Sequence, residues 1–232
     1  MKSRYVASRL MIIMLLLPAF VSFGQNHKFK QPDYKKIEAN ITNKKSNFYY
    51  PTLMTRFEKA DLTMTLEEKR HLYYGYSFQP AYSSHGKTNF SDSINAILLK
   101  DEIDENDLQR IIELGDLALA INPFDLQVMS YQLYVLGANP DSKQYKDKFT
   151  QVHILVDAIL SSGNGKTKET AFFVIYTSHE HEILNILGLA FGGRQQQTKQ
   201  YDYLTVSEND WEIKGLYFDI TPCLSFSYDS FR

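Results

Sequence analysis

The chain has 232 residues, with 25 Lys or Arg against 27 Asp or Glu, a formal net charge of −2. That balance argues against nucleic acid as a main partner, because phosphate binding wants a basic face. A single cysteine, Cys223, excludes an intramolecular disulfide, so stability must come from an apolar core, for which 14% aromatic residues are well suited.

MKSRYVASR carries Lys2, Arg4 and Arg9 and no acid, and the apolar run LMIIMLLLPAFVSF comes next. The run is shorter than the roughly 20 residues of a membrane span and is interrupted by Pro18. With small residues ahead of Gln25, residues 1–24 read as a cleaved signal peptide. The expectation is an exported protein of the periplasm, cell envelope or medium, not spanning a membrane after cleavage. No cysteine follows the run, which excludes lipid attachment at a mature N-terminal Cys. Cleavage removes three cations and leaves 22 against 27, a net charge of −5.

YKKIEANITNKKS predicts a short helix with Ile37 and Ile41 on one face, and Thr52 to Ala60 a second, with Leu53 and Phe57 four apart. Thr65 and Glu68 form a capping-box pattern opening a helix towards Gly75. YSFQPAYSSHGKTNFSD, residues 76–92, reads as a long loop. DENDLQRIIELGDLALAIN carries a helical stripe through Leu108, Ile111, Ile112, Gly115, Ala118 and Leu119. Asn122-Pro123 predicts a restart, with Asn as N-cap and Pro at the first helical position, before a helix ending at Gly137. A third long helix is marked by Tyr145, Phe149, Val152, Val156 and Ile159.

After Glu169, AFFVIYT reads as a strand, HEHEILNILG as a short helix, and YDYLTV and IKGLYFDI as strands separated by the turn-like 207–210. The class is α+β: an antiparallel, tetratricopeptide-like helical bundle over residues 25–163, then a small sheet with one short helix over 164–232.

HLYYGY at 71–76 with Phe78-Gln79, INPFDL at 121–126, SGNGKTKETAF at 162–172, YDYLTV and GLYFDI together resemble the exported, Bacteroides-type bacterial family known as domain of unknown function 4919. The resemblance runs from about Tyr34 onwards. It implies export and a helical plus small-sheet build, and it implies no activity, substrate or catalytic residue.

SSGNGKTKE contains Gly165-Lys166-Thr167, the end of a phosphate-binding loop, but the first glycine position is Leu160 and an amphipathic helix precedes it. It reads as a helix end and turn, with Gly163 in left-handed conformation, so neither nucleotide nor cofactor is expected. His179 and His181 are the weak metal candidates; on a strand they would share a face, but Thr177 and Glu180 spell a helix start instead. The acidic run Asp101 to Asp107 lacks the glycine and terminal Glu of a calcium loop. Tyr73, Tyr74, Tyr76, Phe78, Tyr82 and His85 are the candidate binding residues, since aromatics there either stack on a ligand or pack the loop. No catalytic arrangement stands out. The leading expectation is a binding or scaffolding module for a protein or envelope glycan; the alternative is an envelope hydrolase or glycan-binding accessory protein.

Overall fold

The computed structural model describes residues 29–84 and 89–224. The expected signal peptide and His85 lie outside the described residues. The helices are α1 (Tyr34–Thr42), α2 (Tyr50–Glu58), α3 (Leu66–Gly75), α4 (Asn89–Leu98), α5 (Glu105–Ile121), α6 (Leu126–Leu136), α7 (Lys143–Leu160) and α8 (Ser178–Ile186), with a 3₁₀ turn at Tyr76–Phe78. The strands are β1 (Phe172–Phe173), β2 (Phe191–Thr198), β3 (Tyr201–Val206) and β4 (Gly215–Asp219), ordered β1-β4-β3-β2. β1 runs parallel to β4, and the other pairs are antiparallel. The class is therefore α+β. No described helix is long and apolar enough to cross a membrane.

Local chemistry explains most of the boundaries. Thr65 accepts from the Glu68 amide while Glu68 accepts from the Thr65 amide, the full capping box at the start of α3. Asp104 caps α5 through the Asp107 amide at 2.8 Å, and Lys100 pairs with Asp107, so the acidic run serves a helix entrance. Gly115 lets α5 approach α6, since a Cβ there would stand 2.5 Å from Gln132.

Several boundaries differ from the expectation. Residues 89–92, expected to close the long loop, instead open α4; Ile94 is fully buried, and Phe90, Ile97 and Leu98 join it in a small second core with Ile111, Leu114 and Val128. Ser, Asp and Asn at its start mask that periodicity. Asn122 closes α5 and does not open α6; Asp125 caps α6, accepting from the Val128 amide at 3.1 Å. The AFFVIYT strand contracts to two paired residues. β2 was unexpected because FGGRQQQT has no apolar alternation: the strand is exposed along its whole length and is held by pairing with β3.

At the α7 exit, Gly163 is not the left-handed residue; Gly165 is, with φ of 69°. Gly163 is needed for space, because a Cβ there would meet the Thr170 carbonyl at 2.2 Å. The Asn164 and Gly165 amides both donate to that carbonyl, and the Gly165 carbonyl accepts from Tyr217 of β4. These amides stitch α7 to the sheet.

The larger core runs from Ile37 to Cys223, crossing from the helices into the sheet without a break. Tyr73, Tyr74, Phe124, Phe172 and Phe218 are its largest fully buried side chains. Each contributes on the order of 2–3 kcal/mol by burial.

Candidate functional site

The densest group of buried polar side chains surrounds α8. Thr177 caps this helix by position only: its φ and ψ are already helical and its side chain makes no cap bond. The expected capping box therefore does not form. Glu180 is drawn inward instead, away from the helix start.

His179 faces the helical layer and is 1% exposed. Its Nε2 lies 2.8 Å from the Phe124 carbonyl, which only accepts, so Nε2 carries the proton. Nδ1 then accepts from the Tyr73 hydroxyl at 2.7 Å, and that hydroxyl accepts from the Ile175 amide at 3.2 Å. Every donor and acceptor in this chain has a partner. Burial pushes the His179 pKa down to about 4, so the ring is neutral, and no lone pair remains for a metal.

Glu180, one residue on, faces the sheet and is fully buried. Asp202 of β3 lies against it and is 3% exposed. Gln195, reaching in from β2, donates to Asp202 Oδ2 at 2.8 Å and to Glu180 Oε2 at 3.3 Å. Glu180 Oε1 and Asp202 Oδ1 receive no other protein donor. Burial, then the neighbouring Asp202, raises the Glu180 pKa to about 9. Glu180 therefore keeps its proton at neutral pH and donates it to Asp202, which accounts for the two otherwise orphaned oxygens.

Glu182, also buried, accepts from Ser130 at 3.2 Å; burial raises its pKa to about 7. Cys223 lies near the acid pair, and burial raises its thiol to about 12, leaving it un-ionised and a poor nucleophile.

The candidates from sequence fall in different places. Tyr73, Tyr74, Tyr76 and Tyr82 are buried: Tyr74 donates to the Ala158 carbonyl at 3.1 Å, and Tyr82 to that of Ile175 at 2.5 Å. Phe78 is 37% exposed and sits edge-on to Tyr34. Tyr76 also helps line a cavity of about 360 Å³, together with Tyr50, Met54, Pro80, Ile121 and Pro123. None of the buried acids borders this cavity. His181 points away from His179, to the ring of Phe191 at 4.9 Å. Among the described residues no three His, Cys, Asp or Glu side chains come together to hold a metal.

Glu180, Asp202 and Gln195 do not stand out from the sequence as site residues. One signal was available: Asp202 lies between Tyr201 and Tyr203 in an alternating strand, on the same side as buried Leu204, so its carboxylate must point inward.

Fold and site together define a small α+β protein whose most perturbed acids are enclosed instead of lining a cleft. A family model described as domain of unknown function (DUF4919) matches residues 35–228, and the chain belongs to that family. No curated protein and no solved structure matches.

Proposed function

We propose that the chain is an exported, non-catalytic binding module of the cell envelope. The observation that carries this is the enclosure of the acid pair: a catalytic carboxyl must reach a substrate proton, whereas Glu180 is fully buried and Asp202 nearly so. Recognition groups, by contrast, stand on the surface. Trp211, the only tryptophan, is 56% exposed on the β3–β4 connection. Asn209 ties that connection down, its Oδ1 accepting from the Trp211 and Ile213 amides and its Nδ2 donating to two carbonyls. A tethered, exposed tryptophan suits an anchoring contact.

Export rests on the N-terminal pattern of cations and apolar residues. Sequencing the N-terminus of the protein recovered from its native cells should begin at Gln25; an intact Met1 contradicts export. For binding, the chain used as bait on a solubilised native envelope should retain one defined protein or glycan, and lose it in Trp211→Ala or in a variant of the sheet. Recovery of nothing overturns the module reading.

A further inference from the structure

β2 is the long open edge of the sheet. At the opposite edge β1 offers two residues, whereas β2 has eight, all exposed, and among the described residues no strand pairs with its outer side. Natural sheet edges are blunted by proline, by charged side chains or by bulges. β2 has no proline, and its one charged residue, Arg194, lies in the irregular stretch between Phe191 and Gln195. There the Arg194 backbone is turned onto Thr205 Oγ1. From Gln195 to Thr198 the strand is regular and uncharged. The Gln195 side chain, bonded to Asp202 and Glu180, fixes it to the body of the protein.

The direction of the backbone in that stretch follows from the rest of the sheet. Val174 donates to the Asp219 carbonyl and Tyr217 to the Gly165 carbonyl, so these β4 residues turn their main chain away from β3. Leu216 and Phe218, in alternation with them, face Leu204 and Asp202 of β3. Tyr203 and Tyr201 then face β2, where they meet Gln196 and Thr198. Gln195 and Gln197 are left with their N–H and C=O groups directed at the open edge.

That spacing closes on itself. In an antiparallel copy of the same strand, Gln195 meets Gln197 of the second copy, Gln197 meets its Gln195, and Gln196 faces Gln196 on a two-fold axis. Both outward residues then exchange N–H···O bonds, and no charge stands opposite a like charge across Gln195 to Gln197. A glutamine amide carries donors and an acceptor, so it complements its own kind. A foreign extended peptide would meet the same main-chain groups, but its selectivity would come from pockets for alternate side chains. The cavity beside Tyr50 and Pro123 borders no β2 residue.

We propose that β2 pairs antiparallel with β2 of a second copy of this chain about Gln196, joining two four-stranded sheets into one. The contact is short and the dimer weak, half-formed at a concentration on the order of 100 µM. The inference rests on the sheet edge alone and goes beyond the binding-module reading; a dimer gives such a module two recognition faces.

Sedimentation equilibrium of the full chain should show a monomer that passes to a dimer as its concentration rises to about 1 mM. Gln196→Lys and Gln196→Glu each set two like charges face to face and should each weaken the dimer about fivefold, while an equimolar mixture of the two should dimerise again. Gln197→Pro removes an outward amide without removing a bond to β3, and should abolish the dimer. Should that variant lose its melting transition, the Gln196 variants carry the test. Gln196→Cys should link two copies on mild oxidation, because facing residues at such a position stand about 4.5 Å apart, whereas Thr198→Cys should not. The native Cys223 is buried and does not compete. A chain still monomeric at about 1 mM overturns the proposal, as do a dimer indifferent to charge at Gln196, linking at Thr198 in preference to Gln196, or a foreign peptide seated on β2 of a monomer.

Discussion

His179 and Glu180 are neighbours on α8, equally hidden from water, and their surroundings differ in kind. On the helical side, His179 joins Ile175, Tyr73 and Phe124 in a chain where every polar atom is matched. On the sheet side, Glu180 and Asp202 bring two acidic groups together with one shared amide donor from Gln195. The first arrangement is indifferent to pH above about 6.5 and loses stability as pH falls from there towards 4; the second holds only while Glu180 keeps its proton. Burial alone therefore does not decide whether a polar group is inert; partner count and charge do.

Breaking the matched side should cost the most. His179→Ala leaves the Tyr73 O–H without its acceptor and the Phe124 carbonyl without this donor and opens a cavity, a loss of about 4 kcal/mol in denaturant unfolding at neutral pH, and removes the fall in stability between pH 6.5 and about 4. Tyr73→Phe removes only the hydroxyl between Ile175 and His179, and about 2 kcal/mol should go with it.

The unmatched side should respond in the opposite direction. The folded state raises the Glu180 pKa from 4.5 to about 9, so it binds the proton more tightly than the unfolded chain does. Stability from this group is full below about pH 4.5, falls as pH rises towards 9, and levels off beyond. Glu180→Gln supplies a permanent donor to Asp202, so the variant should be more stable than the parent by ~2 kcal/mol at pH 8 and should flatten that slope. Glu182→Gln should act alike but more weakly, by ~1 kcal/mol, with its slope confined to between pH 4.5 and about 7.

The same contrast marks how far the sequence could be read. Features encoded by local chemistry were legible: the Thr65 to Glu68 box, the α5 stripe, the α7 stripe and YDYLTV, which is β3 residue for residue. Features encoded by partners distant in the chain were not. β2 shows no alternation because both of its faces are exposed, and only its pairing with β3 makes it a strand. Glu180 looked like the closing residue of a capping box, since nothing local tells that Asp202 will lie against it. The tyrosines at 73–76 were visible as a cluster, but their partners, Ala158, Ile175 and His179, come from α7, the β1–α8 connection and α8, some 80 to 110 residues away in the chain.

The enclosure of the acid pair underlies the non-catalytic reading, and the protonation state of Glu180 tests it most directly. Infrared spectra of protein carrying isotope-labelled glutamate should show, at pH 8 and so above the range in which Glu182 titrates, a carboxylic-acid band that is lost only near pH 9 and is missing at pH 8 in Glu180→Gln. A band that disappears near pH 4.5, as for a solvated glutamate, or the same spectrum in the variant, would contradict the account.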